Sequence, residues 1–315
     1  MDVAVHTEEQ RDAFRLDVLA GLARAQKTLP SRWLYDPRGC ELFEQITTLP
    51  EYYPTRTETG ILRANAAQIA GFCGPCANLL EYGAGAGIKT EIVIGAMDRP
   101  RAYVPVDIAA GFLDVTAMRF RQRFAGLRVT PVVADFTAEF TLPPRVLDEG
   151  RRVAFFPGST LGNLNARDAG LFLQRMRRQV GPQGAAIIGV DLKKDLDVLL
   201  PAYDDAAGVT AAFNRNILVR INRELGGQFP VENFRHVARW NGPESAVEMH
   251  LESAIDQVIA VGGRGFAFRR GETIHTESSR KYELESFADF VRRNGWQTRR
   301  LWTDPDRQFA VFGLI

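Results

Sequence analysis

Three segments of the sequence place reactive or ligand-holding residues at the ends of apolar runs. Glu81-Tyr82-Gly83-Ala84-Gly85-Ala86-Gly87 overlaps and follows the run Asn78 to Tyr82. Glycines at such a point let backbone approach a ligand closely, at the carboxyl end of a strand where open α/β sheets bind their ligands. A glycine-rich turn alone is a weak signal, because such motifs match by chance. Asp107 closes Val104-Pro105-Val106-Asp107, where its carboxylate can accept from both hydroxyls of a ribose. Asp135 and Phe136 close Val132-Val133-Ala134, an acid and a ring suited to the amino group and the face of an adenine. Taken singly, Asp107 and Asp135 could be helix N-caps and Phe136 a core ring. At three successive strand ends they describe a site for an adenosine-bearing cofactor. Lys89, just past the glycines, could meet a carboxylate on that cofactor or stand solvated.

Other reactive side chains point nowhere by spacing. Cys40, Cys73 and Cys76 are too few for a disulfide framework in 315 residues, so reduced thiols are expected. The pair Cys73-Gly74-Pro75-Cys76 follows the helix-period stretch Glu58 to Phe72 and precedes a strand. The helix N-terminus that would stabilise a thiolate is therefore missing, and a redox role is disfavoured. His6, His236, His250 and His275 stand at no ligand-pair spacing with one another or with Cys40, so no metal is expected.

The elements that must position these residues follow from hydrophobic period. From Thr55, a candidate N-cap with Glu58 completing a capping box, to about Asp191, short apolar runs alternate with helix-period segments. That alternation is the form of βα units around a parallel sheet. Five strands are expected, at Asn78 to Tyr82, Ala102 to Val106, Arg128 to Val133, Arg152 to Phe156 and Ala185 to Val190. Beyond them, a helix from about Asp205 to Leu225 carries Phe213, Ile217 and Ile221 and stops at Gly226-Gly227. The β-like runs His236 to Trp240, Val247 to Ser253 and Gln257 to Val261 then suggest a separate α+β unit. A helix from Leu284 to Arg293 leads to Gln297 to Trp302 and Gln308 to Leu314, joined by the turn Asp304-Pro305-Asp306. A nicotinamide-binding sheet would end in parallel strands, whereas a closing hairpin favours a Rossmann-like class I methyltransferase sheet with its last strand antiparallel. The expected division is 55–195 with 282–315 as an S-adenosylmethionine-binding domain, and 1–54 with 196–281 as an α+β substrate-binding domain.

Bulk properties narrow the partners. Lys plus Arg number 39 against 38 Asp plus Glu, a net charge of +1 that gives no bias toward nucleic acid. No run of about 18 apolar residues occurs, and Met1 to Glu9 is acidic without an apolar signal core, so no membrane partner and a cytoplasmic location are expected. A monomer acting on a small molecule is the working expectation.

At this point the sequence resembles the ergothioneine-pathway L-histidine Nα-methyltransferases. The matching blocks are Ser31 to Asp36 (SRWLYD), Leu49 to Glu58 (LPEYYPTRTE), Glu81 to Thr90, Gly158 to Leu164 (GSTLGNL), Ala202 to Asn216 (AYDDAAGVTAAFNRN) and Thr276 to Lys281. The resemblance spans nearly the whole chain. It implies S-adenosylmethionine as cofactor, held by Gly83, Lys89, Asp107, Asp135 and Phe136. It implies Tyr52, Asn163 and Tyr203 at the carboxylate and amino end of the substrate, where they would serve catalysis. Gly158 would offer a backbone contact near the amine, Tyr35 a water-mediated one. Glu277 and Ser279 would read the imidazole, with Met249 lining the same pocket. The loop Gly83 to Gly87 reads GAGAG where other members carry a serine and a threonine, and Ile88 also departs from the pattern.

What this implies is Nα-methylation of free L-histidine, in three transfers, to the trimethyl betaine. A carboxylate plus a hydroxyl can pair both imidazole nitrogens, and two residues apart on an extended segment they would share one face. Without the resemblance, Glu277 and Ser279 would read as a solvent-facing stripe on an edge strand. The 205–281 unit is expected to pack over the carboxyl edge of the sheet and exclude water. Other readings are the same chemistry on tryptophan, signalled by small apolar residues in place of Glu277 and Met249, a non-catalytic sensor lacking Tyr52, Asn163 or Tyr203, and a dehydrogenase.

Overall fold

A computed structural model describes residues 8–144 and 150–315. Met1 to Thr7, with His6 and the first part of the acidic segment, lie outside the described residues. The strands are β1 (Lys27–Thr28), β2 (Asn78–Tyr82), β3 (Ala102–Asp107), β4 (Arg128–Val129), β5 (Val132–Val133), β6 (Arg152–Phe156) and β7 (Ala185–Asp191). They continue with β8 (Phe234–Asn241), β9 (Ala246–Ser253), β10 (Gln257–Val261), β11 (Arg264–Phe268), β12 (Thr273–Arg280), β13 (Thr298–Thr303) and β14 (Phe309–Leu314). The chain forms two compact units, Met1–Tyr53 with Lys194–Ser279 and Pro54–Lys193 with Arg280–Ile315.

The second of these units is built on a sheet of order β13-β14-β7-β6-β2-β3-β4, with β5 also on β3. Strands β7, β6, β2 and β3 are parallel neighbours. The last strand, β14, pairs antiparallel with both β7 and β13, so the closing hairpin enters the sheet as a methyltransferase strand does. Both faces are covered: Leu80, Tyr82 and Val104 face one apolar layer, while Leu79, Tyr103 and Val153 face the other. That two-sided burial is why these strands read as unbroken apolar runs.

Three local expectations are corrected. The strand foreseen from Arg128 to Val133 is two short strands, β4 and β5, broken at Thr130-Pro131 because Pro131 has no N–H for the ladder. The helix foreseen through Glu58 to Phe72 is two, Tyr53–Ala64 and Ala66–Cys73, divided at Asn65, whose amide donates to the Ile61 carbonyl at 2.8 Å. Thr55 consequently lies inside a helix, and Glu58 points elsewhere than to a cap. Cys73 ends the second helix, fully buried, and burial pushes its thiol up to about 12.

In the other unit, β1-β12-β9-β8 form one sheet and β10-β11 a separate ribbon. The long helix begins at Val209 rather than Asp205, because Gly208 adopts φ 73° and the Asp205 carboxylate caps the N–H groups of Val209 and Thr210 at 2.9 and 2.7 Å. Its Phe213, Ile217 and Ile221 pack with Phe14, Trp33, Leu251 and Ile274 in the core of that unit. Among the described residues no helix is long and apolar enough to cross a membrane.

Candidate active site

In the sheet unit, Gly83, Gly85 and Gly87 carry φ of 71°, 45° and 63°, a left-handed path that a side chain would strain. A Cβ on Gly83 would sit 3.6 Å from the Phe136 ring, and one on Gly87 would lie 2.8 Å from Phe120. One on Gly85 would meet nothing within 4 Å, so the loop opens a cradle at the end of β2. Asp107 faces that loop: it accepts from the Ala109 N–H at 2.9 Å and the Gly85 N–H at 3.3 Å. Burial raises its carboxyl, and those backbone donors oppose the rise. Asp135 takes the N–H of Thr137 at 2.8 Å, and Phe136 packs on Phe156 and Phe172, each 5.5 Å between centroids. The open space at Gly85, with one acid at the end of β3 and another past β5, leaves room for the ribose and adenine that the resemblance implies.

Behind the loop, Glu81 is buried and accepts from Thr90 Oγ1 at 2.5 Å and from the Tyr103 hydroxyl. Burial raises its carboxyl to about 8 despite those donors. A carboxyl whose folded value exceeds its unfolded one binds more protons when folded between the two, so stability falls as pH rises through that interval. In thermal unfolding measured from pH 5 to pH 8, the melting temperature of Glu81→Gln relative to the parent should rise with pH, because only the parent loses the contribution of a protonated Glu81.

The sequence suggests a capping role for Glu58, and the structure gives it a different one. In the structure it is fully buried and accepts from Lys89 Nζ at 2.5 Å and from the Gly158 N–H at 2.8 Å. Its second oxygen, Oε1, has no partner among the described residues, and a Cβ on Gly189 would come within 1.9 Å of it. Gly189 thus clears the space for a carboxylate that ties Lys89 to the backbone of Gly158. Gly158, at φ 82°, and Ser159, at φ 57°, form the sharp bend after β6, and Asn163 closes the short helical turn Thr160–Asn163.

The remaining candidates gather in the other unit. Tyr35, Phe43, Phe213, Tyr52 and Tyr203 form an edge-packed aromatic cluster, with Tyr35 5.6 Å from Phe43 and Tyr52 6.2 Å from Tyr203. Met249 belongs to the same apolar core, 2% exposed. Glu277 and Ser279 are 8% and 5% exposed, which removes the solvent-facing reading, although β1 pairs with their strand only at Ile274 and His275. The Tyr35 hydroxyl lies 3.4 Å from Glu277 Oε1, and Tyr203 Oη lies 2.8 Å from Ser279 Oγ. Burial, then the nearby Glu277, holds Tyr35 well above the ordinary tyrosine value, so it is a neutral donor.

His236, which sequence spacing leaves without a role, holds the backbone of Tyr203. Its Nε2 lies 2.7 Å from the Tyr203 carbonyl and its Nδ1 2.9 Å from the Asn214 amide nitrogen. A carbonyl can only accept and an amide nitrogen only donate, so the ring is neutral with its proton on Nε2. Burial lowers its pKa, in keeping with that form. This pair explains why Asn214, in the Ala202 to Asn216 block, is polar yet buried. Asn216 and Asp36 in the same unit pair at 2.7 Å, linking two of the blocks quoted above.

A family model described as "Histidine-specific methyltransferase, SAM-dependent" matches residues 14–314. The chain belongs to this family. Two relatives named histidine N-alpha-methyltransferase are each 40% identical to it. That of Mycolicibacterium smegmatis matches over 95% of this chain and 94% of its own, and that of Mycobacterium tuberculosis over 99% and 98%. Ergothioneine biosynthesis protein 1 of Neurospora crassa is 28% identical over 88% of this chain, which covers 32% of that longer protein. The chain is therefore an S-adenosylmethionine-dependent methyltransferase, and the dehydrogenase and sensor readings fall away.

Proposed function

We propose that this chain methylates the α-amino nitrogen of free L-histidine three times, giving the trimethyl betaine, hercynine, in ergothioneine biosynthesis. The observation that carries the choice of substrate is the buried pair Glu277 and Ser279, each beside a tyrosine of one aromatic cluster. A carboxylate and a hydroxyl on one side of a strand suit the two nitrogens of an imidazole. The flanking tyrosines and Met249 suit its apolar edges. An indole has one N–H donor and no acceptor, so it would pair with only one of Glu277 and Ser279 and leave the other buried without a ring partner. Small apolar residues at 249 and 277 would be expected instead.

S-adenosylmethionine supplies a methyl group already activated by its sulfonium. Gly83, Asp107, Asp135 and Phe136 would hold its nucleoside, with Lys89 toward its carboxylate end. What the protein must add is alignment, an effect worth up to about 7–11 kcal/mol. Tyr52, Asn163 and Tyr203 would orient the substrate's carboxylate and amine, and Gly158 would offer a backbone contact near the nitrogen. One proton leaves the nitrogen for each methyl gained, and the hydroxyls of Tyr52 and Tyr203 or a water could pass it outward.

Calorimetric titration of L-histidine and L-tryptophan into purified protein with S-adenosylhomocysteine present tests the substrate. Saturable binding of histidine and none of tryptophan is expected. Tryptophan binding without histidine binding would keep the cofactor and remove Glu277 and Ser279 as imidazole readers.

A further inference from the structure

Strand pairing creates one cluster of ligating side chains that sequence spacing concealed. Glu248 and His250 are two residues apart on β9, and His275 lies on the neighbouring strand β12. The two imidazole rings are 5.1 Å apart, and one ligand atom from each of the three residues lies within 4.8 Å of the other two. We propose that Glu248, His250 and His275 bind a zinc-like divalent cation across β9 and β12.

Two imidazoles and a carboxylate are the donor set of a tetrahedral zinc site whose fourth position is left to water. His250 Nε2 and Glu248 Oε2 are 3.1 Å apart. Two metal bonds of about 2.0–2.1 Å span that separation at an angle between a right angle and the tetrahedral value. Both rings have the outer partners that metal-binding histidines use. His250 Nδ1 lies 3.2 Å from Thr273 Oγ1, so its proton can move there when Nε2 takes the metal. His275 Nε2 lies 3.0 Å from the Glu277 carbonyl, which can only accept, so the lone pair is on Nδ1.

The third residue is prepared in the same way. The Asn241 amide donates to Glu248 Oε1 at 2.7 Å and leaves Oε2 to the cluster. Burial keeps both histidines below their ordinary value and hence neutral, the form that ligates. Hydrogen bonds from Asn241 and His250 outweigh burial and hold the Glu248 carboxyl low. Glu248 and His275 are partly exposed, so an ion can enter. The side chains proposed for the substrate lie elsewhere: Glu277 faces Tyr35, while His275 meets Ser278 Oγ at 3.0 Å. A bound ion would clamp the strand that carries Glu277 to its neighbour.

The test uses the untagged full-length protein, dialysed against a chelator and then into metal-free buffer. Zinc is titrated by calorimetry and cobalt(II) by visible absorption, into the parent, Glu248→Gln and His275→Asn, with circular dichroism verifying that each is folded. One-to-one binding, tetrahedral cobalt bands, a zinc-dependent rise in the parent's melting temperature, and affinity at least about tenfold weaker in each variant are expected. Absence of saturable binding, or affinity unchanged in both variants, would overturn the site. If a variant fails to fold, the cobalt spectrum and the melting-temperature rise of the parent decide alone, and absence of either counts against it.

Discussion

Glu277→Gln lowers kcat/KM for L-histidine by about a hundredfold, chiefly through KM, while leaving S-adenosylhomocysteine affinity unchanged. A hydrogen bond to a charged group is worth about 1.5–3 kcal/mol, and each 1.4 kcal/mol is roughly a factor of ten. Glu277 is nearly fully buried, so its carboxylate would meet the imidazole with little competition from water. Glutamine keeps the shape and the neighbour Tyr35 but presents a neutral amide, whose NH2 group would face one of the ring's two nitrogens unproductively. Steady-state kinetics with varied histidine, beside calorimetry with the cofactor product, separate the two affinities. The Ser279→Ala variant should show a smaller KM effect, about tenfold, since a neutral hydrogen bond is worth about 0.5–1.5 kcal/mol. An unchanged KM in Glu277→Gln would remove Glu277 from the substrate.

The second large effect belongs to Glu58. Glu58→Ala strips a buried carboxylate from Lys89 and from the Gly158 N–H, leaving a shielded ammonium and an unpaired donor. Breaking such a pair from one side costs about 3–5 kcal/mol, which for a chain of this size corresponds to a melting temperature lower by on the order of 10 °C. Cofactor affinity should fall as well, because Lys89 and Gly158 lose their common anchor. The double variant Glu58→Gln with Lys89→Met should recover part of the stability, since no unmatched charge remains. Differential scanning calorimetry of the three proteins measures this. A Glu58→Ala protein as stable as its parent would show that the pair holds nothing in place.

Much of the sheet unit was legible in the sequence because its signals are local. Glycines, a terminal Asp107 and the Asp135-Phe136 pair each sit at the end of an apolar run, and a parallel sheet brings such ends together. Pro131 hid the division of one strand only because the surrounding valines dominate the pattern. Glu58 was opaque for a different reason: its partners Lys89 and Gly158 are 31 and 100 residues away, and a capping box explained it equally well. His236 and Asn214 looked like an ordinary strand and helix residue, since nothing local shows that they hold the backbone of Tyr203. The same limit applied to His250 and His275. Histidines 25 positions apart suggest no site until β9 and β12 are known to be neighbours, whereas Glu248 and His250 alone are too few to hold an ion. Glu277 and Ser279 stood out only through the family resemblance, because a glutamate and a serine two apart are commonplace on strands.

The most direct test of the central claim is the mass of the product formed when the purified protein turns over L-histidine with excess S-adenosylmethionine. A single end product heavier than histidine by three methyl groups, with its imidazole unmodified by fragmentation, is the predicted result. Histidine recovered unchanged, or methylated on the ring, would contradict it.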